Sequence, residues 1–169
     1  HRNSPIITMI SLGIPVDDSS VAAALTASLA VKRRLQRHNI PVTDVFAPAE
    51  GVTHFVVVGV KEGGAKVASQ IKDVITARRA SINKIVVVDS DVDVFDMKQV
   101  IHALAVKCHP LTGIAVNEVA AGKANELTPC YSYEEREHKK GGVAVFDCTW
   151  PPAWPKESLP IKSSFHDIY

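Results

Sequence analysis

Residues Ile85 to Val88 place four β-branched side chains in a row inside "KIVVVD". β-Branching favours extended backbone, and successive strand residues point to opposite faces, so this segment is apolar on both sides. A strand of that kind belongs in the centre of a sheet covered on both faces. The remaining elements must be arranged around it.

The pattern on either side supplies them. "PIITMISL" reads as a strand, and "DDSSVAAALTASLAVKRRLQRH" as a helix with Asp17, Asp18 and Ser19 available to cap its first turn. Val21, Leu25, Leu29 and Leu35 are expected to form its apolar stripe. Lys32, Arg33, Arg34, Arg37 and His38 crowd its C-terminal end, where the helix dipole favours positive charge and solvent. "PVTDVFAP" and "THFVVVGV" read as strands. Gly63-Gly64 breaks the chain before a helix, "AKVASQIKDVITARR", and no Gly-Lys-Ser/Thr follows to make the pair a phosphate loop. A third helix from Met97 to about Cys108 is expected to bury Met97, Val100, Ile101, Leu104 and Cys108. Strands "IAVNEV" and "VAVFDCT" follow, separated by a polar stretch. The order β-α-β-β-α-β, then a further helix and strands, predicts a single α/β domain: a mixed sheet in a sandwich with helices packed on it. That domain is expected to cover residues 1–149, with residues 150–169 as a proline-rich extended tail. Within the tail, Trp150 and Trp154 are expected to pin it to the domain.

Bulk properties narrow the function classes. The 169 residues, 46% of them hydrophobic, suffice for one ordinary core. Nineteen basic against eighteen acidic residues leave a net charge of +1, so no one-signed field points to nucleic acid. No apolar run is long enough to span a bilayer. Cys108, Cys130 and Cys148 lack Cys-x-x-Cys spacing and are expected to be reduced thiols in a cytoplasmic protein. The opening "HRNSPIITMI" has no initiator methionine, which suggests a piece of a longer protein, a processed terminus being the other reading.

Asp89, Asp91, Asp93 and Asp96 follow the central strand and carry the densest chemistry. An EF-hand counted from Asp89 fails, because Val94 and Val100 stand where Gly and Glu are required. Asp-x-Asp after a strand also suits a Mn²⁺-dependent sugar-nucleotide transferase or an aspartyl phosphotransferase. No phosphate loop supports either. Asp96 with Gln99 three residues on reads as a capping box, and a loop-and-cap role is preferred for the cluster. His54 and His102 read as packed or surface histidines. Cys108-His109 lacks partners at zinc spacing.

"VVVDSDVDVFDMKQVIHALAVKCHP" resembles the C-terminal domain of the UbiD-like decarboxylases, down to a pattern filled here by Ala103, Lys107 and Pro110. "GIPVDD", "PAEGVTHFVVVGVK" and "GGVAVFDCTWPPAWP" agree, so the likeness spans nearly the whole chain. It is nearest to the decarboxylases of cinnamic-type and related aromatic acids. The resemblance implies a homo-oligomeric carboxy-lyase acting on an aromatic or α,β-unsaturated acid. Its cofactor would be prenylated FMN with a divalent metal, Mn or Mg, and K, all bound by a domain upstream of this chain. It implies no catalytic residue or metal ligand here; Glu135-Arg136-Glu137 is a coincidence of spelling. By the same resemblance Ser20, Ala24 and Leu127 are expected to line the substrate pocket, and Arg78 (or Arg79) to lie near the flavin. The small Ala24 would leave room for a wide or fused-ring acid, although "GKANELTP" departs from the family in length and sequence. Two other readings stay open: a non-catalytic ligand-sensing module, and the Asp-x-Asp transferase.

Overall fold

The computed structural model describes residues 18–51, 53–77, 81–125, 128 and 130–154, with the side chains of residues 18–20 left out. The expected strand "PIITMISL", Asp17, Arg78, Arg79, Leu127 and residues 155–169 lie outside these.

The central position expected for "KIVVVD" holds. The elements are α1 (Asp18–Arg37), β1 (Val42–Phe46), a 3₁₀ turn (Ala49–Gly51), β2 (Phe55–Val60), α2 (Ala65–Thr76), β3 (Lys84–Asp89), α3 (Met97–Val106), β4 (Ile114–Glu118), α4 (Tyr133–Glu137) and β5 (Gly142–Cys148). The five strands form one mixed sheet in the order β1-β2-β3-β5-β4. β2, β3 and β5 run parallel, and β1 and β4 are antiparallel edges.

Register divides the valines between two cores. Val56, Val58, Ile85, Val87, Val143 and Val145 face one way and pack with Val31 and Leu35 of α1 and Ala68, Ile71 and Ile75 of α2. Val57, Val86, Val88 and Cys148 face the other way and pack with Val100 and Ala103 of α3. Each such valine, taken fully out of water, contributes about 1.5–3 kcal/mol. A register shift between Val42 and Val45 lets these two, three residues apart, share the first core.

Two helix faces differ from expectation. In α1 the buried positions are Ala24, Val31 and Leu35, whereas Val21, Leu25 and Leu29 are exposed. Leu35 is buried as expected, but in the first half of the helix Ala24, not Leu25 or Leu29, meets the protein, because a small side chain lets the helix axis approach its neighbours closely. In α3 the buried pair is Val100 and Ala103, while Ile101 is exposed. The basic end of α1 is also less solvated than expected. Lys32 pairs with Asp44 at 2.6 Å, and Arg34 Nη1 donates to the Ile75 carbonyl at 3.5 Å. The helix stops where Asn39 takes a φ of 57°, a left-handed conformation that asparagine tolerates.

Candidate functional site

Functional groups in parallel sheets collect at the carboxyl ends of the strands, and the aspartates lie there. Their geometry gives them another task. Lys107, just past α3, places Nζ 3.1 Å from Asp89 Oδ2, and 3.1 Å and 3.3 Å from the two oxygens of Asp91. The lysine side chain is only 8% exposed, against 19% for Asp89 and 47% for Asp91. Its ammonium also lies 5.0 Å from the centre of the Trp150 ring, and Trp150 N–H donates to Asp89 Oδ2 at 3.0 Å. One cation thus ties the end of β3, the end of α3 and the start of the tail together. The carboxylates that could have shared a divalent ion share an internal ammonium. Among the described residues, no group of three His, Cys, Asp or Glu side chains could hold a metal.

The other aspartates serve the backbone. Asp93 Oδ1 accepts from Phe95 N–H at 2.9 Å, and Asp96 Oδ1 accepts from Lys98 N–H at 2.9 Å, capping α3. Gln99 donates to Asp96 Oδ2 and accepts from Asp93 N–H, so Asp96 caps as expected through a variant of the capping box. Gln99 and the Lys98 amide hold the Asp96 carboxyl below its ordinary value. A full capping box forms instead on α4, where Ser132 and Glu135 exchange bonds of 3.2 Å and 2.7 Å. Its Ser-x-x-Glu spacing was legible in "SYEE" and passed unnoticed in the charged stretch.

Gly63-Gly64 lies at the same end and is equally occupied. Gly64 N–H donates to Thr149 Oγ1 at 2.8 Å, and a Cβ on Gly63 would fall 2.2 Å from Thr149. The pair exists so that β5 can pass close by, and the described residues here offer no cradle for a cofactor phosphate. Burial pushes the Cys108 and Cys148 thiols up, beyond the usual range for Cys148. His109 Nδ1 accepts from Leu111 and Thr112 N–H, a turn-stabilising role unlike a zinc ligand's, and His54 donates from Nδ1 to Ser81 O at 2.9 Å.

The helix that carries Ser20 and Ala24, two of the positions expected to touch substrate, reaches the opposite end of the sheet. There α1 lies beside the entrances to β2 and β3, leaving an open groove of about 500 Å³. Ala22, Ala23, Ala27 and Ala30 form one wall and Ile75 and Ile82 the other, with Arg34, Thr53 and Ser81 among the polar lining. Ala24 is in the same helix, 5% exposed and turned toward the core. Ser20 is in its first turn. Asn125 donates to Ser81 Oγ at 3.4 Å, and Lys123 Nζ to Ala77 O at 2.9 Å. These bonds bring Lys123, Asn125 and the end of α2 to the groove; Leu127 and Arg78 lie outside the described residues.

Comparison with known proteins follows the same lines. The 3-octaprenyl-4-hydroxybenzoate carboxy-lyase C-terminal domain matches residues 20–148. Over 99% of its length the chain is 22% identical to a pyrrole-2-carboxylic acid decarboxylase of Pseudomonas aeruginosa, of which it covers 36%. Over 72% of its length it is 30% identical to a phenolic acid decarboxylase of Sedimentibacter hydroxybenzoicus, of which it covers 26%. The fold superposes on the UbiD-class enzyme HmfF of Pelotomaculum thermopropionicum, solved with FMN, at a TM-score of 0.72 and 17% identity. That match covers 89% of this chain and 33% of the other. The chain therefore spans about a third of the length of the curated relatives it matches.

Proposed function

The chain belongs to the family of the 3-octaprenyl-4-hydroxybenzoate carboxy-lyase C-terminal domain, and on that premise we propose that it is the C-terminal part of a UbiD-class carboxy-lyase. The whole enzyme removes CO₂ non-oxidatively from an aromatic or α,β-unsaturated acid, or adds it in reverse. On decarboxylation the electron pair of the broken C–C bond stays on the ring or vinyl carbon, which then takes a proton. The match over residues 20–148 carries this reading.

Prenylated FMN, with Mn or Mg and K, belongs in this proposal to the part of the enzyme outside the chain. The residues described here form no phosphate cradle, so no step of the chemistry is assigned to them. Their part is to close one wall over the acid. In that role Ser20 and Leu127 face the substrate, Ala24 sets the depth of the wall from behind the groove lining, and Arg78 lies near the flavin. Support comes from the convergence of α1, the end of α2, Lys123 and Asn125 on one groove. A cytoplasmic homo-oligomer completes the proposal.

The test is a panel of aromatic and α,β-unsaturated acids given to the full-length protein loaded with prenylated FMN. CO₂ release is expected from at least one acid, and none from the 169-residue chain alone with the same cofactor. Silence of the loaded full-length protein across the panel overturns the reading. Ala24→Ile in that protein should exclude the widest acids first; unchanged kinetics on them removes Ala24 from the wall.

A further inference from the structure

Two of the three cysteines meet beneath α3. Cys108, just past the helix, packs on the apolar cluster that holds Cys148 of β5 together with Val88, Val100 and Ala103. The backbone brings the pair together. Gly113 O accepts the Cys108 thiol at 3.7 Å and the Asp147 N–H at 2.7 Å, so Cys108 reaches the residue next to Cys148. The two thiols are also hydrogen-bond partners. Cys148 is fully buried and Cys108 half-buried, so a small reagent meets Cys108 first. Cys130 is exposed and belongs to a loop that Tyr131 ties to Gly142, at the other end of β5.

We infer that Cys108 and Cys148 close into a reversible disulfide under hydrogen peroxide, a lock that staples the end of α3 to the end of β5. The Cys108 sulfur, giving up its proton, attacks one peroxide oxygen; the O–O bond breaks and water leaves, so Cys108 becomes a sulfenic acid. The Cys148 sulfur then attacks the Cys108 sulfur; the S–O bond breaks, and the hydroxide leaves as water with the Cys148 proton. Two electrons have passed from the thiols to the peroxide. Burial pushes both thiols up, so the first step is slow and the lock answers sustained oxidant, not a brief pulse. The second step joins sulfurs that the fold already holds together. Lys107 and Trp150 connect the same two chain segments through Asp89, so the new bond reinforces a junction that already exists. The pair belongs to this chain alone and stands or falls independently of the decarboxylase reading.

The experiment is prolonged treatment of the native 169-residue chain, carrying Cys130→Ser to prevent links between molecules, with hydrogen peroxide. The reaction is stopped with N-ethylmaleimide and mapped by mass spectrometry without reductant. Both free thiols should disappear, the Cys108 and Cys148 peptides should appear joined and lighter by two hydrogens, and dithiothreitol should restore them. The oxidised chain should unfold at a urea midpoint higher by roughly 1 M, because the bond closes a long loop. Cys108→Ser should abolish both the link and the rise in midpoint, and Cys148→Ser should do the same. If the buried Cys148→Ser variant misfolds, Cys108→Ser carries the test. Sulfinic or sulfonic acid at Cys108 without a link, two intact thiols after the treatment, a link only between molecules, or a midpoint unchanged or lowered by the link would each overturn the inference.

Discussion

Lys107→Met isolates the ammonium that joins Asp89, Asp91 and Trp150. Methionine keeps the length of the stem and much of its packing on Trp150, so the change is chiefly the loss of charge. Two arms are lost. The Asp89 arm is the larger, because that carboxylate is only 19% exposed and keeps the Trp150 N–H as its partner. Stranding a fully buried charge costs about 3–5 kcal/mol, and partial exposure reduces the figure here to about 2 kcal/mol. The Asp91 arm, 47% exposed, adds about 0.5–1 kcal/mol. The sum, about 3 kcal/mol, corresponds to a fall in Tm of roughly 6–12 °C for a chain of this size. Urea denaturation of wild type, Lys107→Met, Asp89→Asn and the double variant would measure it. The double variant should be less damaged than the sum of the singles, since each single change removes the same Lys107–Asp89 pair, although Lys107 keeps Asp91 in Asp89→Asn. A loss below about 1 kcal/mol for Lys107→Met, the level of a surface ion pair, would refute the claim that this lysine holds the carboxyl end together.

Three further outcomes follow from the same geometry. The depressed Asp96 carboxyl stabilises α3 fully above its ordinary value of 3.8, and this stabilisation fades as pH falls through the lower folded value. The stability difference between wild type and Asp96→Ala should therefore be constant near neutrality and shrink in acid; a difference that grows in acid contradicts the cap. Gly63→Ala should cost about 1–3 kcal/mol in urea, because its Cβ would meet Thr149 and the strand must shift. A thiol reagent should label exposed Cys130 in the native protein, Cys108 slowly, and buried Cys148 only on unfolding. Fast native labelling of Cys148 would show that the α3 face opens.

The mixed sheet, its central strand and the order of the described strands and three longer helices were legible because they rest on backbone preference and period-two burial, whereas the short α4 was not. Helix faces were less so. In α1 the rule that large apolar residues point inward chose Val21, Leu25 and Leu29, and close axis packing chose Ala24 instead. The aspartate cluster was half legible. Asp96 announced its cap by preceding a helical pattern. Nothing near Asp89 in the chain announced Lys107, 18 residues away, or Trp150, 61 away. Long-range ion pairs leave no local periodicity, so a carboxylate cluster looks free until the fold supplies its partner.

That explains why the two ends of the sheet exchange roles. The carboxyl end has the residues that look catalytic, but Asp89, Asp91, Asp93 and Asp96 are already answered: by Lys107, by a helix amide or by a turn. A group so engaged must break its existing bonds before it can serve a ligand. The amino-end groove looks plain, with alanines, two isoleucines and one arginine held by a single long bond. Binding there displaces little that the fold needs, and free energy gained from a ligand is not consumed in undoing the protein's own contacts. For this chain, the ligand-facing surface is therefore to be sought along α1, with the aspartates as the clasp that keeps the other end closed.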